Sequence, residues 1–568
     1  MSPLTEWVRR ARRWATALVL AMTACAPPAS KAQQATHPQS GLTPQAAFHP
    51  THDARPAAMA LEGRLILKAP LRPDEVRILR DDDGAKTPDR RLTWPDLTLD
   101  LVSDGDRVIP APRGVLTGRN PAWDWVVEPG QVWSEPGDGG DIRVSLPVAL
   151  EERNANCVHN GSILLRLKPD GRVTRAFVQF AAETCVYYRF DAWSVVSAHF
   201  RPGVVAGAKA AIDHDRAERA ARAPTEPIAV LASKYPTVDL SALAHAAGPG
   251  AIWGVVDAGA HYVAPCETRA GEDTACDTRD LPSYSTAKTL VAAQALMRLE
   301  TLYPGSAQEK VADHVQACRR AGTWGDVRLV DLLDMASGHY VSAAAEADEN
   351  SAATEPFFLS QTQAKKLAFA CSMPRKDRPG QTWVYHTADT FLLGAAMTDV
   401  LRQRAGPDKD IYDDLIRPIW NRLNQSATLD TTRRTYDPAA QPFSGWGLTY
   451  TRADIVRAAM FLARGAKLDG APTLEPALLA AALQQSWPGA GLVAGAADLR
   501  YLHGFWARDI SPLIGCGHPV WIPFLSGYGG ISVVLFPNDV QFYAFGDEGW
   551  FDWSAAAVEI NKIRSLCR

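Results

Sequence analysis

The stretch PSYSTAKTLVAAQALMRL, residues 282 to 299, constrains this chain more than any other. From Thr286 to Leu299 helix breakers are few, and apolar residues stand at Leu290, Val291, Ala295, Leu296 and Leu299. That pattern predicts a helix buried on most of its surface. Ser285 falls at its start, with Lys288 on the same face one turn on. A serine hydroxyl is a poor nucleophile unless a proton acceptor lies within reach and the developing oxyanion is stabilised. Both are available here, since unpaired amides and a positive dipole end mark a helix N-terminus, and a buried lysine loses pKa. Against this, 27 Ser and 14 Lys in 568 residues give about 0.7 chance S-x-x-K matches. The bland alternative is a capping serine followed by a solvent-facing lysine, so the surrounding segments must decide.

Three further segments follow in order: LVDLLDMASGHY (329 to 340), WVYHTADTFLLGAAM (383 to 397) and LSGYGGISVVLFP (525 to 537), with GLTYTRADIVRAAMFL (447 to 462) between the last two. Together with the tetrad they resemble the serine beta-lactamase and penicillin-recognising family, above all its class C, esterase and nylon-oligomer-hydrolase branches. The resemblance covers residues 228 to 565. It implies a catalytic domain of α/β (α+β) type, with an antiparallel sheet flanked by helices plus an all-helical region. It also implies Ser285 as nucleophile and Lys288 and Tyr385 as the groups that move its proton. Tyr385-His386-Thr387 falls at the family's Y-x-N position. Thr387 then bonds Lys288 or the substrate, or else simply caps the helix expected from Ala388. The third segment resembles the glycine-rich edge strand that carries K-T-G or H-x-G in relatives. Gly529 and Gly530 let substrate lie against the backbone, and the second oxyanion donor is the amide of Gly530 or of Ile531, depending on register. A glycine bulge in an edge strand is the plainer reading of the same residues.

The chain departs from the family in two places. Where relatives carry a lysine or histidine in the third motif, Tyr528 or Gly527 stands here. That removes a charge-assisted hydrogen bond to a substrate carboxylate, worth about 1.5 to 3 kcal/mol. Thr387 replaces the asparagine. Both changes point to uncharged esters or amides as small-molecule substrates. The chain has no G-x-S-x-G, H-E-x-x-H, H-x-H or C-x-x-C, so neither an α/β-hydrolase elbow nor a motif-level metal site is supported, and no cofactor fingerprint is present. His339, His386 and His518 are isolated in sequence and read as surface or core residues.

The first 25 residues place Arg9, Arg10, Arg12 and Arg13 before the apolar run WATALVLAMTA and end at Cys25, the plan of a signal peptide. Met22-Thr23-Ala24-Cys25 is similar to a bacterial lipobox, which makes Cys25 the candidate lipidation site, the protein periplasmic, and its only membrane contact a lipid anchor. Eight cysteines remain, an even set suited to disulfides in an oxidising compartment. Proximity in sequence suggests Cys157 with Cys185, Cys266 with Cys276, Cys318 with Cys371 and Cys516 with Cys567.

Residues 26 to 56, rich in Ala, Pro, Gln, His and Thr, read as a flexible linker. From 57 to 204, alternating runs such as GRLILKA and SILLRLK broken by DDDG and KPDG predict a mostly β domain of unknown role. The segment ETCVYYRFDAWSVVSAHF (183 to 200) reads as packing against the next domain, or less simply as a ligand surface. DHDRAERAARA marks a helical connector over 205 to 227, and the hydrolase domain spans 228 to 568. AIWGVVDAGAHYVAPCET (251 to 268) predicts its first hairpin. A net charge of −4 without a basic block beyond the leader gives no footprint for nucleic acid. The leading reading is an exported serine hydrolase acting through an acyl-enzyme. A non-catalytic envelope-binding or scaffold protein and a penicillin-binding or beta-lactamase activity are the alternatives, and oligomeric state is not legible.

Overall fold

The computed structural model describes residues 41–57, 59–70, 75–82 and 93–567. The leader, Cys25 and the first part of the linker lie outside the described residues. Residues 41 to 56, expected from composition to be part of that linker, pack onto the β domain instead. Phe48 is fully buried, the Thr43 amide donates to Gln179 Oε1 at 2.9 Å, and Arg55–Pro56 pairs with Gly130–Ser134. Buried Leu42 and Phe48, with hydrogen bonds such as that from the Thr51 hydroxyl to Glu135 at 2.6 Å, order a segment whose overall composition reads as coil.

The β domain is one antiparallel sheet. It runs from Ser197–Pro202 through Glu62–Lys68, Leu97–Asp104, Arg107–Ala111, Gly130–Ser134, Ile142–Glu152, Val158–Leu167, Val173–Thr184 and Phe190–Val195 to Arg77–Asp81. Phe190–Val195 and Ser197–Pro202 are consecutive in the chain, so one bent strand pairs with Glu62–Lys68 at one end of the order and with Val173–Thr184 and Arg77–Asp81 at the other, and the sheet returns on itself. Inward residues, among them Leu65, Leu99, Trp123, Trp125, Leu146, Ile163 and Phe180, fill the interior. Alternation of side chains along each strand is what segregates them. Most of the aromatic run 183 to 200 belongs to this core, with Tyr188 and Phe190 buried.

The second domain is built on a nine-stranded sheet: Thr225–Pro227, Ala260–Val263, Ile252–Asp257, Val540–Phe545, Ile531–Phe536, Trp521–Gly527, Phe505–Asp509, Ala496–Leu502 and Leu492–Ala494. Its central strands are buried on both faces. Ile531, Val533 and Leu535 point into the large helical core, whereas Val534 and Phe536 point to the opposite face, with helices Leu240–Ala247 and Ser554–Ile563. Such double coverage explains why these strands read as continuous apolar runs. The expected hairpin at Asp257 is present, with Ala258 and Gly259 both at positive φ, as a tight two-residue turn requires. The third motif does not lie at a sheet edge. It forms the turn between Trp521–Gly527 and Ile531–Phe536, and three further strands extend the sheet beyond it.

All four disulfides form with the partners that proximity suggests. They indicate an oxidising, exported setting, and no helix among the described residues is long and apolar enough to cross a membrane. The helix Ala208–Ala220 ties the domains together. Its Glu218 accepts from Arg113 of the β domain at 2.6 Å, and its Glu218 carbonyl accepts from Arg457 of the second domain at 3.1 Å. A second buried junction is Arg433, which donates to Asp124 and, at 3.2 Å, to Glu151.

Candidate active site

Tyr284–Thr286 forms a single 3-10 turn, and Lys288–Ala293 continues it as a π-helix before the α-helix Gln294–Leu302 begins. A helix is therefore present where the apolar spacing predicts it, but its first turns are wound differently, as π-turns at functional sites often are. Tyr284 has φ +38°, a left-handed conformation that costs an aromatic residue about 1–3 kcal/mol. Its amide donates to Asn156 Oδ1 at 2.8 Å, its phenol to the Thr184 carbonyl at 3.4 Å, and its ring meets Tyr528 edge-on at 5.7 Å. These contacts hold the strained residue that immediately precedes Ser285. Ser285 is half-buried, while Ser283, Thr286 and Lys288 around it are buried.

Lys288 Nζ lies 2.9 Å from Ser285 Oγ, 2.9 Å from Thr387 Oγ1 and 3.3 Å from the Gly445 carbonyl. Burial disfavours its ammonium and lowers its pKa to about 8, against the opposing pull of Glu349 and Glu346. The ring of Tyr385 sits under the same nitrogen, with its centroid 4.8 Å away. Tyr385 is packed against Trp383 and Trp506. Burial, reinforced by Glu349 and Tyr501, pushes its phenol well above the ordinary tyrosine value, although a hydrogen bond with Ser285 works the other way. Tyr385 is thus a neutral phenol at neutral pH, because desolvation disfavours the phenolate.

Thr387 is the first residue of the buried helix Thr387–Ala405 and does not cap it. Its hydroxyl donates to Glu349 and its amide donates to the same carboxylate at 2.9 Å. One residue back, His386 Nε2 lies 3.1 Å from Asp348 Oδ2. The adjacent acids Asp348 and Glu349 therefore clamp the adjacent residues His386 and Thr387, and bring segment 341 to 351 over the site. Glu346 on the same segment is raised to about 7 by burial and by the nearby charge of Glu349. None of these acids stands out in sequence, because their partners lie 38 positions away.

The turn of the third motif meets the turn that carries Ser285 at its first glycine. A Cβ on Gly527 would come within 2.9 Å of the Ser283 carbonyl. Gly529 lies instead against Gly546 and Val186, and Gly530 against the backbone of Trp550. Ile531 pairs with Gly527 across the hairpin and is fully buried. Tyr528, besides meeting Tyr284, faces Tyr187 of the β domain at 6.5 Å. Among the described residues one Cys/His group has metal-like spacing, Cys157, His159 and Cys185. Its two sulfurs are joined to each other, so it offers no pair of thiolates.

A buried lysine thus stands beside a half-buried serine at the head of a helix, next to an antiparallel sheet. Residues 243–512 match the family described as beta-lactamase. Among solved structures, EstCE1, a hydrolase with promiscuous acyltransferase activity, matches with TM-score 0.41 and 14% identity over 61% of this chain and 99% of its own. A penicillin-binding protein homolog from Caulobacter crescentus matches with TM-score 0.40 and 17% identity over 58% and 96%. A class C beta-lactamase matches with TM-score 0.40 and 13% identity over 62% and 96%. No curated protein matches the chain in sequence.

Proposed function

We propose that the protein is an exported serine hydrolase that cleaves an ester or amide through an acyl-enzyme on Ser285. The observation that carries this reading is the 2.9 Å contact between Ser285 Oγ and the buried Lys288 Nζ, with a lysine pKa near 8. A fraction of neutral amine exists at physiological pH and takes the serine proton as Oγ attacks the carbonyl. Tyr385 stays a phenol overall: it gives its proton to the leaving group as it takes one from the Lys288 ammonium, and the reverse relay takes a proton from the water that releases the acyl chain and returns one through Lys288 to Ser285 Oγ. Thr387 holds the amine in line. The Ser285 amide supplies one oxyanion donor. The second comes from the Gly527–Tyr528 end of the turn, because Gly529 and Gly530 are turned toward residues 546 to 550. This choice replaces the Gly530 or Ile531 amide as the favoured donor.

No lysine or arginine stands at the third motif, while Glu346 and Glu349 lie near Lys288. That balance supports substrates without a carboxylate beside the scissile bond, and argues against penicillins. Esterase and amidase turnover is tested on a panel of p-nitrophenyl esters and anilides. The reading expects hydrolysis by the wild type that is abolished in Ser285→Ala, and equal turnover by both proteins would refute it. Fast acylation by a labelled penicillin would instead favour a penicillin-recognising activity. Lipidation at Cys25 is proposed from the leader sequence alone, and intact mass of the membrane-extracted protein tests it.

A further inference from the structure

We infer that the β domain is part of the catalytic apparatus, with Asn156 as a positioning residue that holds the Ser285–Lys288 pair in register. The inference rests on the reading of Ser285 as nucleophile. Asn156 is buried on the β domain, where it follows the end of the strand Ile142–Glu152. Its Oδ1 accepts three hydrogen bonds, all from the other domain: from Tyr284 N at 2.8 Å, Ser283 Oγ at 3.0 Å and Gly447 N at 3.0 Å. Its Nδ2 donates to the Leu448 carbonyl at 3.1 Å and to Glu151 Oε1 at 3.2 Å.

The placement of those partners is what matters. Tyr284 is the residue before the nucleophile and carries the strained φ of +38°. Gly447 lies two residues after Gly445, whose carbonyl accepts from Lys288 at 3.3 Å. One amide oxygen thus fixes both the backbone that presents Ser285 and the backbone that seats Lys288. Ser283 closes the link between them, since its Oγ also accepts from Leu448 N at 3.0 Å. The next residue, Cys157, is bonded to Cys185, and the chain after Cys185 reaches the third motif, with Val186 against Gly529. The disulfide therefore anchors both β-domain segments that touch the site.

A hydrogen-bonded strain of this kind is maintained only where surrounding structure over-determines it. Without the Asn156 oxygen, three donors at the nucleophile turn lose their shared acceptor, and Tyr284 is free to relax toward negative φ. The serine then moves relative to its base, and misplacement of about 1 Å costs on the order of 10²-fold in rate.

The test compares Asn156→Ala with a matched control, Asn160→Ala. Asn160 also bridges the domains, through Asp280, with bonds of 2.8 and 3.0 Å, but it touches neither flank of the pair. For each full-length variant, the saturating rate and half-saturation of fluorophosphonate labelling are measured separately, and folding is checked by near-UV circular dichroism. The expected result is a saturating rate lowered 10- to 100-fold in Asn156→Ala with half-saturation unchanged, and a rate within twofold of wild type in Asn160→Ala. Equal effects in the two variants, or a wild-type rate in folded Asn156→Ala, overturn the inference. Should Asn156→Ala fail to fold, Asn156→Asp, which keeps the accepting oxygen, decides. A rate within threefold of wild type supports the inference, and a 100-fold loss in the folded Asp variant overturns it. Absence of labelling in the wild type would instead count against Ser285 as nucleophile and leave a different signature from any of these results.

Discussion

Thr387 Oγ1 lies 2.9 Å from Lys288 Nζ and donates its own proton to Glu349. The amine that serves Ser285 is thereby coupled to a carboxylate it does not touch. A negative charge there favours the ammonium, and Glu349 and Glu346 both raise the Lys288 pKa against the effect of burial.

This coupling sets the pH dependence. Lys288 must be neutral to act, and with a pKa of about 8 its active fraction grows as pH rises through that value. The groups facing it are Glu346, Glu349 and Tyr385; Tyr385 stays protonated through this range. The rate of Ser285 labelling therefore has an ascending limb centred near pH 8. Glu349→Gln removes a charge that holds the proton on, so the limb shifts to lower pH. A stopped-flow pH series on both proteins measures the shift, and a limb that moves upward contradicts the coupling.

Tyr385→Phe keeps the ring that supports Lys288 but removes the phenolic proton. Turnover of an amide falls by about 10²- to 10⁴-fold, with smaller loss on esters whose leaving groups need no proton. Comparing anilide and p-nitrophenyl ester kinetics shows whether the selectivity exists.

Lys366 tests the cost of a charge in the core. It is fully buried among Phe357, Phe391, Phe443 and Trp446, donates to the Phe357 carbonyl at 2.8 Å, and burial lowers its pKa to about 7. The unfolded chain binds this proton near pH 10.4, so between about pH 10 and 7 unfolding takes up a proton and stability falls as pH falls. Below 7 the penalty is constant. Lys366→Met is expected to be more stable than wild type, by a Tm difference that widens from pH 10 to 7 and then levels. A difference independent of pH counts against a neutral lysine.

Arg433 is buried against Asp124 and Glu151 across the domain boundary. Arg433→Met leaves two carboxylates without their cation and lowers stability by about 3–5 kcal/mol. In calorimetry the wild type is expected to melt as one cooperative unit and the variant to show a lowered or divided transition.

Much of this was legible because it is periodic or local. The Ser285–Lys288 spacing, the alternation of Ile252–Asp257 and the proximity of the cysteine pairs all lie within short windows. Asn156 was not legible, since its partners at 283, 284 and 447 are on another domain and a lone asparagine after a strand reads as a turn residue. Glu346 and Glu349 sit in a run of Ala, Ser, Glu and Asp with no periodicity, and only folding places them over Thr387. The register of SGYGG was ambiguous for a related reason. Three glycines permit several turns, and only packing against Ser283 and Trp550 selects one.

The central claim, that Ser285 is an activated nucleophile, is tested most directly by intact-mass analysis after a fluorophosphonate probe, on wild type and Ser285→Ala, with peptide mapping of the adduct. One adduct is expected, on Ser285, absent from the variant. A folded wild-type protein that takes up no probe, or an adduct that persists in Ser285→Ala, would contradict it.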